Sequence, residues 1–282
     1  DYSIWRSEFQ GTATTKKADF NTDNKVSLAD YSIWRTTFVK GTNPSGAPSP
    51  TVVTPTTPVG SCVGGKTTTV KIMPLGDSVT DGTDGRGGYR FKLYNLLKGN
   101  NTLFDYVGPN QSGTVPDTDH AGYGGYQVGR VNDTTHGNHM ISKEIPTIIP
   151  QYAPDVVLFM GGVNDMFGGY ENTPWTVDEV GQNVIEAVKQ ANALRPSATI
   201  IVASLTSWGP NDTGDSNRLS INAAIKAGIA TLKAQGKPIV YAESMADQVT
   251  NQYTPTDVHP TADGYDKMAD VWFSYLNPLL CK

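Results

Sequence analysis

The chain has 282 residues, of which 38% are hydrophobic and 17% charged, so it can bury the core of one large domain and carry a small additional segment. The net charge of −5 and the lack of any basic tract argue against a nucleic-acid-binding protein. The sequence contains no run of about 18 apolar residues, so no transmembrane helix is expected.

Residues 1–40 contain an internal repeat and an oxygen-rich loop. The sequence DYSIWR, which begins at Asp1, recurs from Asp30. Oxygen-bearing side chains ahead of the second copy have the spacing of an EF-hand calcium loop, with one backbone carbonyl completing the ligand set. The predicted ligands are Asp19, Asn21, Asp23, Lys25 (through its carbonyl), Ser27 and Asp30. We therefore expect a small N-terminal helical segment that binds Ca²⁺; a solvated acidic turn without an ion is the alternative.

This segment resembles the type I dockerin modules of cellulose- and xylan-degrading systems, which hold two such loop-helix segments and bind cohesin domains. The resemblance covers about one and a half segments, because Asp1 stands at the last ligand position of a first loop. It implies a cohesin-type scaffold partner and attachment to a cell-surface or multi-enzyme scaffold. Leu28 and Ala29 stand where dockerins usually carry polar cohesin-contacting residues, so the absence of such a partner remains an alternative.

Residues 41–60 are rich in proline and threonine and carry no charged residue, which is typical of an extended linker. Cys62 and Cys281 then bracket the remaining chain, residues 61–282. An even pair at the two ends of one domain predicts a disulfide, and with the linker it indicates a secreted protein. Two unpaired thiols in a cytosolic protein are the alternative.

Residues 61–282 alternate between strand and helix patterns. A stripe of apolar residues and a Thr176–Glu179 capping box predict a helix at Val177–Leu194, and a second stripe predicts the last helix at Ala262–Leu276. Strands are expected at residues 70–75, 103–107, 155–160, 199–205 and 238–242. The alternation predicts an α/β domain with three layers, a flavodoxin-like fold around a mostly parallel five-stranded sheet.

Four polar segments follow or flank these strands. Residues 71–82 (KIMPLGDSVTDG) combine a strand with a tight turn that lifts the Ser78 hydroxyl from the sheet edge, although Ser78 can also serve only as a helix cap. The others are residues 119–126 (DHAGYGGY), residues 161–165 (GGVND) and residues 257–260 (DVHP). A hydroxyl nucleophile, an imidazole and hydrogen-bond donors for an oxyanion are what acyl transfer requires. The G-x-S-x-G elbow of other α/β hydrolases is absent.

The sequences IMPLGDSVTDG, GGYR, DHAGYGGY, GGVNDM and HPTADGYDKMADVW resemble the conserved blocks of the SGNH, or GDSL-type, hydrolases. Within that superfamily they are most similar to carbohydrate esterase family 3, which includes secreted acetylxylan esterases. The resemblance spans residues 69–277 with five motifs in order. It implies an esterase with a serine nucleophile and no metal in catalysis.

The resemblance also implies roles for individual residues. Ser78 is the expected nucleophile, with its own N–H, the Gly125 N–H and the Asn164 side-chain amide as oxyanion donors. His259 is the expected general base. The family usually places an aspartate three residues before this histidine, but that position is Thr256 and the aspartate is Asp257. Either Asp257 reaches His259 and completes a triad, or a Ser–His dyad operates with another group orienting the ring.

The sequence thus predicts a secreted carbohydrate esterase that hydrolyses O-acetyl esters on xylan or a related polysaccharide through a serine acyl-enzyme. A short-chain lipase, thioesterase or arylesterase of the same superfamily is the first alternative. A non-catalytic carbohydrate-binding module is the second.

For other polar and aromatic side chains, a structural role is weighed against a role in binding or catalysis. Arg90 is expected to face water from the first helix unless it contacts substrate. His136 and His139 indicate a polar loop in preference to half a metal site. Asp77 and Asp165 are expected to hold their loops by hydrogen bonds. Substrate contact and packing remain open for His120, Trp175 and Trp208.

Overall fold

The computed structural model describes residues 62–210 and 215–281. The predicted calcium segment, including all six expected ligands, and the whole predicted linker lie outside the described residues. None of the helices within the described ranges is long and apolar enough to cross a membrane.

A parallel sheet forms the centre of the domain. The seven strands are β1 (Val70–Gly76), β2 (Phe104–Tyr106), β3 (Asn110–Gln111), β4 (Asp119–Gly122), β5 (Val156–Met160), β6 (Thr199–Ala203) and β7 (Ile239–Ala242). Five of them run in the order β2–β1–β5–β6–β7, all parallel. This is the doubly wound order of flavodoxin-like folds, so the predicted fold is confirmed.

The sequence predicts five strands, but the sheet has seven. The two additional strands are the short β3 and β4. β4 pairs in parallel with the carboxyl-terminal end of β1, beyond the part of β1 that pairs with β2, and β3 pairs antiparallel with β4. Asn110–Gln111 and Asp119–Gly122 are too short and too polar to show an alternating apolar pattern. These two strands extend the sheet at the carboxyl-terminal end of β1, where the polar segments lie, and are called the β3–β4 ledge below.

Helices cover both faces of the sheet. They are α1 (Ser78–Asp81), α2 (Tyr89–Gly99), α3 (Ile141–Tyr152), α4 (Val163–Phe167), α5 (Val177–Leu194), α6 (Ser216–Ala234), α7 (Met245–Gln248) and α8 (Ala262–Leu276). One apolar core joins α3, α5 and α6 to one face, and the other joins α2 and α8 to the opposite face. The three-layer architecture follows from this division, since alternate residues of β1 and β5 enter opposite cores.

Two local predictions are confirmed at the ends of these elements. The Thr176–Glu179 capping box starts α5, although Leu194 at its last position is 39% exposed and does not extend the buried stripe. Cys62 and Cys281 form a disulfide with their Cα atoms 4.8 Å apart, closing the domain at its two ends.

Candidate active site

Ser78 lies directly after β1, where the strand order reverses between β1 and β5. A Cβ on Gly76 would overlap the Met160 carbonyl oxygen at the end of β5, so glycine is required for the two strands to end side by side. Asp77 caps α1 by accepting a hydrogen bond from the Val79 N–H at 3.0 Å. Ser78 therefore begins a helix at the topological switch point, where doubly wound sheets bind their ligands.

His259 lies within hydrogen-bond distance of both predicted partners. Its Nε2 is 2.9 Å from the Ser78 Oγ, and its Nδ1 is 3.0 Å from the Asp257 Oδ1. An ionised carboxylate can only accept, so Nδ1 carries the proton and Nε2 is left to accept from the serine hydroxyl. The geometry thus contains an unbroken series of hydrogen bonds from Ser78 to Asp257.

A local turn brings Asp257 to the histidine although it is one residue nearer in sequence than the family pattern. The Asp257 Oδ1 also accepts the backbone N–H of His259 at 2.8 Å, which folds the side chain back over its own chain. Thr256, at the usual position of the acid, is exposed. The Asp257 side chain is itself 58% exposed, so water reaches this end of the series.

Two of the predicted oxyanion donors, Gly125 and Asn164, lie on two other segments, and the glycine-rich loop is the one that approaches Ser78. A Cβ on Gly124 would lie 3.9 Å from the Ser78 Cβ, which places the glycine-rich loop beside Ser78. The Asn164 Nδ2 on α4 donates to the Tyr126 carbonyl at 2.9 Å, and the amide keeps a second N–H. Gly125 has a φ of +75°, and a Cβ there would lie 2.6 Å from the Tyr170 ring.

Asp165 fixes the glycine-rich loop to α4. It is buried and accepts hydrogen bonds from the Val128 N–H at 2.6 Å, the Gly129 N–H at 3.0 Å and the Asn183 amide at 3.3 Å. Burial raises the pKa of Asp165 despite these bonds. Burial also raises the pKa of Asp77 to about 7, against the hydrogen bond from Val79. Both aspartates hold loops, as the sequence predicted.

Arg90 is buried, and the expectation that it faces water is wrong. Its guanidinium donates to the carbonyls of Thr80, Asp81 and Thr118 at 3.3, 2.8 and 3.0 Å, and to the Ser112 Oγ at 2.7 Å. These backbone acceptors tie α1 to the β3–β4 ledge. Apolar periodicity cannot reveal such an arrangement, because the partners are carbonyls that every residue carries.

His120 is a structural histidine next to the site. The Gly122 N–H donates to its Nδ1 at 2.9 Å, and its Nε2 is 2.9 Å from the Ser112 Oγ. Burial and the nearby charge of Arg90 lower the pKa of His120 to about 3. The ring is therefore neutral, with its proton on Nε2.

His136 and His139 form separate contacts. His136 stacks on Trp175 with ring centroids 3.7 Å apart, and the His139 Nδ1 is 2.7 Å from the Glu171 Oε1. Across residues 62–210 and 215–281, no group of three or more potential ligands is placed to hold a metal ion.

Trp175 is buried and so packs in the core, whereas Trp208 is partly exposed beside Phe167.

Three residues near the site have no role in the sequence analysis: Asp81 on α1, and the exposed aromatic residues Phe167 and Tyr170 that follow Asn164. Asp81 falls inside the GDSVTDG motif, which is the one sequence signal that could have drawn attention to it. The two aromatic residues carry no such signal, because an isolated apolar residue in a loop is uninformative without the fold.

Comparison with known proteins agrees with this geometry. Residues 75–267 match the model of the GDSL-like lipase/acylhydrolase family. A multidomain esterase of Ruminococcus flavefaciens is 30% identical over 239 residues, which cover 75% of this chain but 29% of that protein. The chain thus spans less than a third of this relative.

Two solved structures share the fold. The family 3 carbohydrate esterase of Clostridium thermocellum is 26% identical with a TM-score of 0.60, and the match covers 75% of this chain and 98% of that one. A family 3 carbohydrate esterase from Talaromyces cellulolyticus is 23% identical with the same TM-score, covering 74% and 97%.

Proposed function

Because the chain belongs to the GDSL-like lipase/acylhydrolase family, and is thus an esterase, we propose that it removes O-acetyl groups from xylan or a related polysaccharide through a serine acyl-enzyme. The observation that carries this proposal is the hydrogen-bonded series Ser78–His259–Asp257 beside the Gly124–Gly125 loop and Asn164. The solved family 3 carbohydrate esterase of Clostridium thermocellum, 26% identical, supports the substrate class.

In the proposed reaction, the Ser78 Oγ attacks the ester carbonyl while the His259 Nε2 takes its proton. The Asp257 carboxylate holds the ring in the required tautomer and stabilises the imidazolium. The N–H groups of Ser78 and Gly125 and the free N–H of the Asn164 amide stabilise the tetrahedral oxyanion, a contribution of about 10²–10³ in rate per donor. His259 then protonates the leaving sugar oxygen, and water, activated by the same nitrogen, releases acetate.

We assign the acyl group to a small cavity next to the site, although Ser78, Asn164 and His259 do not themselves line it. A cavity of about 10 Å³ is bordered by the chain neighbours of three site residues: Asp77 and Val79 beside Ser78, Val163 beside Asn164, and Val258 beside His259. A cavity of this size holds roughly one water molecule or methyl group. An acetyl methyl fits this space, whereas a longer acyl chain requires the walls to move.

Acyl-chain preference tests this proposal against the lipase alternative. We expect acetate release from acetylated xylan, and a kcat/KM on aryl acetate at least about 10-fold above that on aryl butyrate. Val163→Ala should enlarge the cavity and so lower the ratio of kcat/KM on aryl acetate to kcat/KM on aryl butyrate. Val188→Ala, a matched truncation elsewhere in the core, should leave the ratio unchanged. A wild-type preference for chains longer than four carbons would favour a lipase.

The N-terminal segment is proposed to act separately from catalysis. Ca²⁺ bound by the loop Asp19–Asp30 would organise that segment, with a cohesin domain as its partner, while the Ser78 site works without a metal. A disulfide-closed catalytic domain suits the extracellular location that this arrangement needs. Chelation with EDTA should abolish calcium binding and cohesin capture but leave ester hydrolysis intact. A large loss of esterase activity on chelation would contradict this separation.

A further inference from the structure

An open groove of about 610 Å³ lies beside the proposed nucleophile. Its lining comes from the β3 segment, from residues 120–126 and from Asp81 on α1. A Cβ on Gly124 would lie 3.8 Å from the Asp81 Oδ2 and 3.9 Å from the Ser78 Cβ, so Gly124 lies between the lining of the groove and Ser78. Whatever group leaves Ser78 can therefore extend into this groove.

The Asp81 carboxylate has no cationic partner among the described residues. Its nearest ionisable contact is the His120 Nε2 at 3.5 Å, and that ring is neutral because the Gly122 N–H occupies its Nδ1. Arg90 donates to the main-chain carbonyl of Asp81. The Asp81 side chain is 40% exposed, so its remaining lone pairs face the groove.

The amides of Asn110 and Gln111 keep both donors and acceptors free in the groove. The Asn110 Nδ2 donates to the Gly122 carbonyl at 2.8 Å, and the Gln111 Nε2 donates to the Asp119 Oδ1 at 2.7 Å. Each amide keeps its second N–H as a donor and its oxygen as an acceptor, whereas the Asp81 carboxylate can only accept. The stacked rings of Tyr123 and Tyr126, with centroids 5.1 Å apart, add an aromatic surface, and no lysine or arginine lines this part of the described chain.

We propose that this groove binds the neutral sugar residues next to the acetylated one, and that Asp81 determines specificity by accepting their hydroxyl hydrogen bonds and repelling a neighbouring uronic acid. Sugar hydroxyls can donate to the Asp81 carboxylate and exchange hydrogen bonds with the two amides, whereas a uronate brings a second carboxylate close to Asp81. This inference rests on the proposed function and adds the substrate class to it.

The test compares acetate release from a neutral acetylated xylo-oligosaccharide, from the same oligosaccharide carrying a uronic acid beside the acetylated residue, and from an aryl acetate. For the wild type we expect kcat/KM on the neutral oligosaccharide to exceed that on the acidic one by at least about 10-fold, and high salt to reduce this preference. Asp81→Asn should cut the preference by about 10-fold, with the change mainly in KM.

Asp105→Asn is the matched control, because it removes the same charge from an exposed position on β2, away from the groove. It should keep the wild-type preference. A wild type that deacetylates both oligosaccharides equally, or an Asp81→Asn variant that slows all three substrates equally through kcat, would overturn the role of Asp81 and leave the proposed function standing. A wild type that hydrolyses only the aryl acetate would overturn the proposed function and, with it, the assignment of the groove.

Discussion

One oxygen of the Asp257 carboxylate both closes a local turn and orients the His259 ring. Its Oδ1 accepts both the backbone N–H and the Nδ1–H of His259, at 2.8 and 3.0 Å. The same turn therefore orients the imidazole and lets an aspartate two residues away reach it. Because the Asp257 side chain is more than half exposed, water can replace part of its contact with the ring.

Asp257→Ala should lower kcat for ester hydrolysis by about 10–10², less than the roughly 10⁴-fold loss seen when a buried triad aspartate is replaced. Steady-state kinetics on an aryl acetate measure this change. Thr256→Ala provides the adjacent control and should keep wild-type activity, since Thr256 faces solvent. Unchanged kcat in Asp257→Ala would mean that another group orients His259.

The buried, neutral His120 makes the free energy of unfolding depend on pH. Its pKa is lowered from 6.5 to about 3, so between these values the unfolded chain binds a proton that the folded protein does not. Stability therefore rises with pH across this window and falls on acidification, by up to about 1.4 kcal/mol per pH unit from this one group.

The variant His120→Asn keeps an acceptor for the Gly122 N–H and should lose this pH dependence. Between pH 7.5 and 5, the free energy of unfolding of the wild type should fall by about 2 kcal/mol more than that of the variant. Urea denaturation at several pH values measures the difference, with pH 7.5 as the baseline. Parallel pH profiles for the two proteins would contradict a neutral, buried His120.

The glycine-rich loop after β4 is held by α4 and the residues that follow it. Asn164 donates to the Tyr126 carbonyl, the Tyr170 N–H donates to the Gly125 carbonyl at 3.2 Å, and Asp165 accepts two N–H groups from the continuation of the loop. These bonds set the position of the Gly125 N–H relative to the end of β1. The site thus joins the segments that follow β1, β4 and β5 to the His259 segment that precedes α8.

Gly125→Ala should lower kcat by about 10²–10³, because a left-handed φ and the contact with Tyr170 both oppose a Cβ, and relief of either moves an oxyanion donor. Gly124→Ala is the neighbouring comparison. Its Cβ would make ordinary contacts of 3.8 and 3.9 Å, so its loss should be much smaller. Equal losses in both variants would show that the effect does not come from the position of the Gly125 N–H.

Across the molecule, the layers and the strand order could be predicted because they follow from burial. All five residues of β5 are buried, and the helix stripes of α5 and α8 are nearly continuous, so the sequence pattern carries the architecture. The two short strands could not be found in this way, since their pairing depends on the edge of β1. β4 is held there by register with Leu75 and Gly76.

The site was predictable where residues lie in motifs and unpredictable where they depend on the assembled fold. Ser78, His259, Asn164 and the glycine-rich loop come together at the edge that strand order alone predicts. The inward turn of Arg90 and the groove beside Asp81 arise from packing between distant segments, which no local pattern encodes. The roles of Asp257 and the oxyanion donors remain predictions supported by this geometry.

The most direct measurement is acetate release from acetylated xylan by the wild type, Ser78→Ala and the control Ser274→Ala, an exposed serine on α8. With all three proteins folded, as judged by equal thermal midpoints, Ser78→Ala should be slower by about 10³ or more and Ser274→Ala should match the wild type. Comparable acetate release by Ser78→Ala and the wild type would contradict a serine acyl-enzyme at this site.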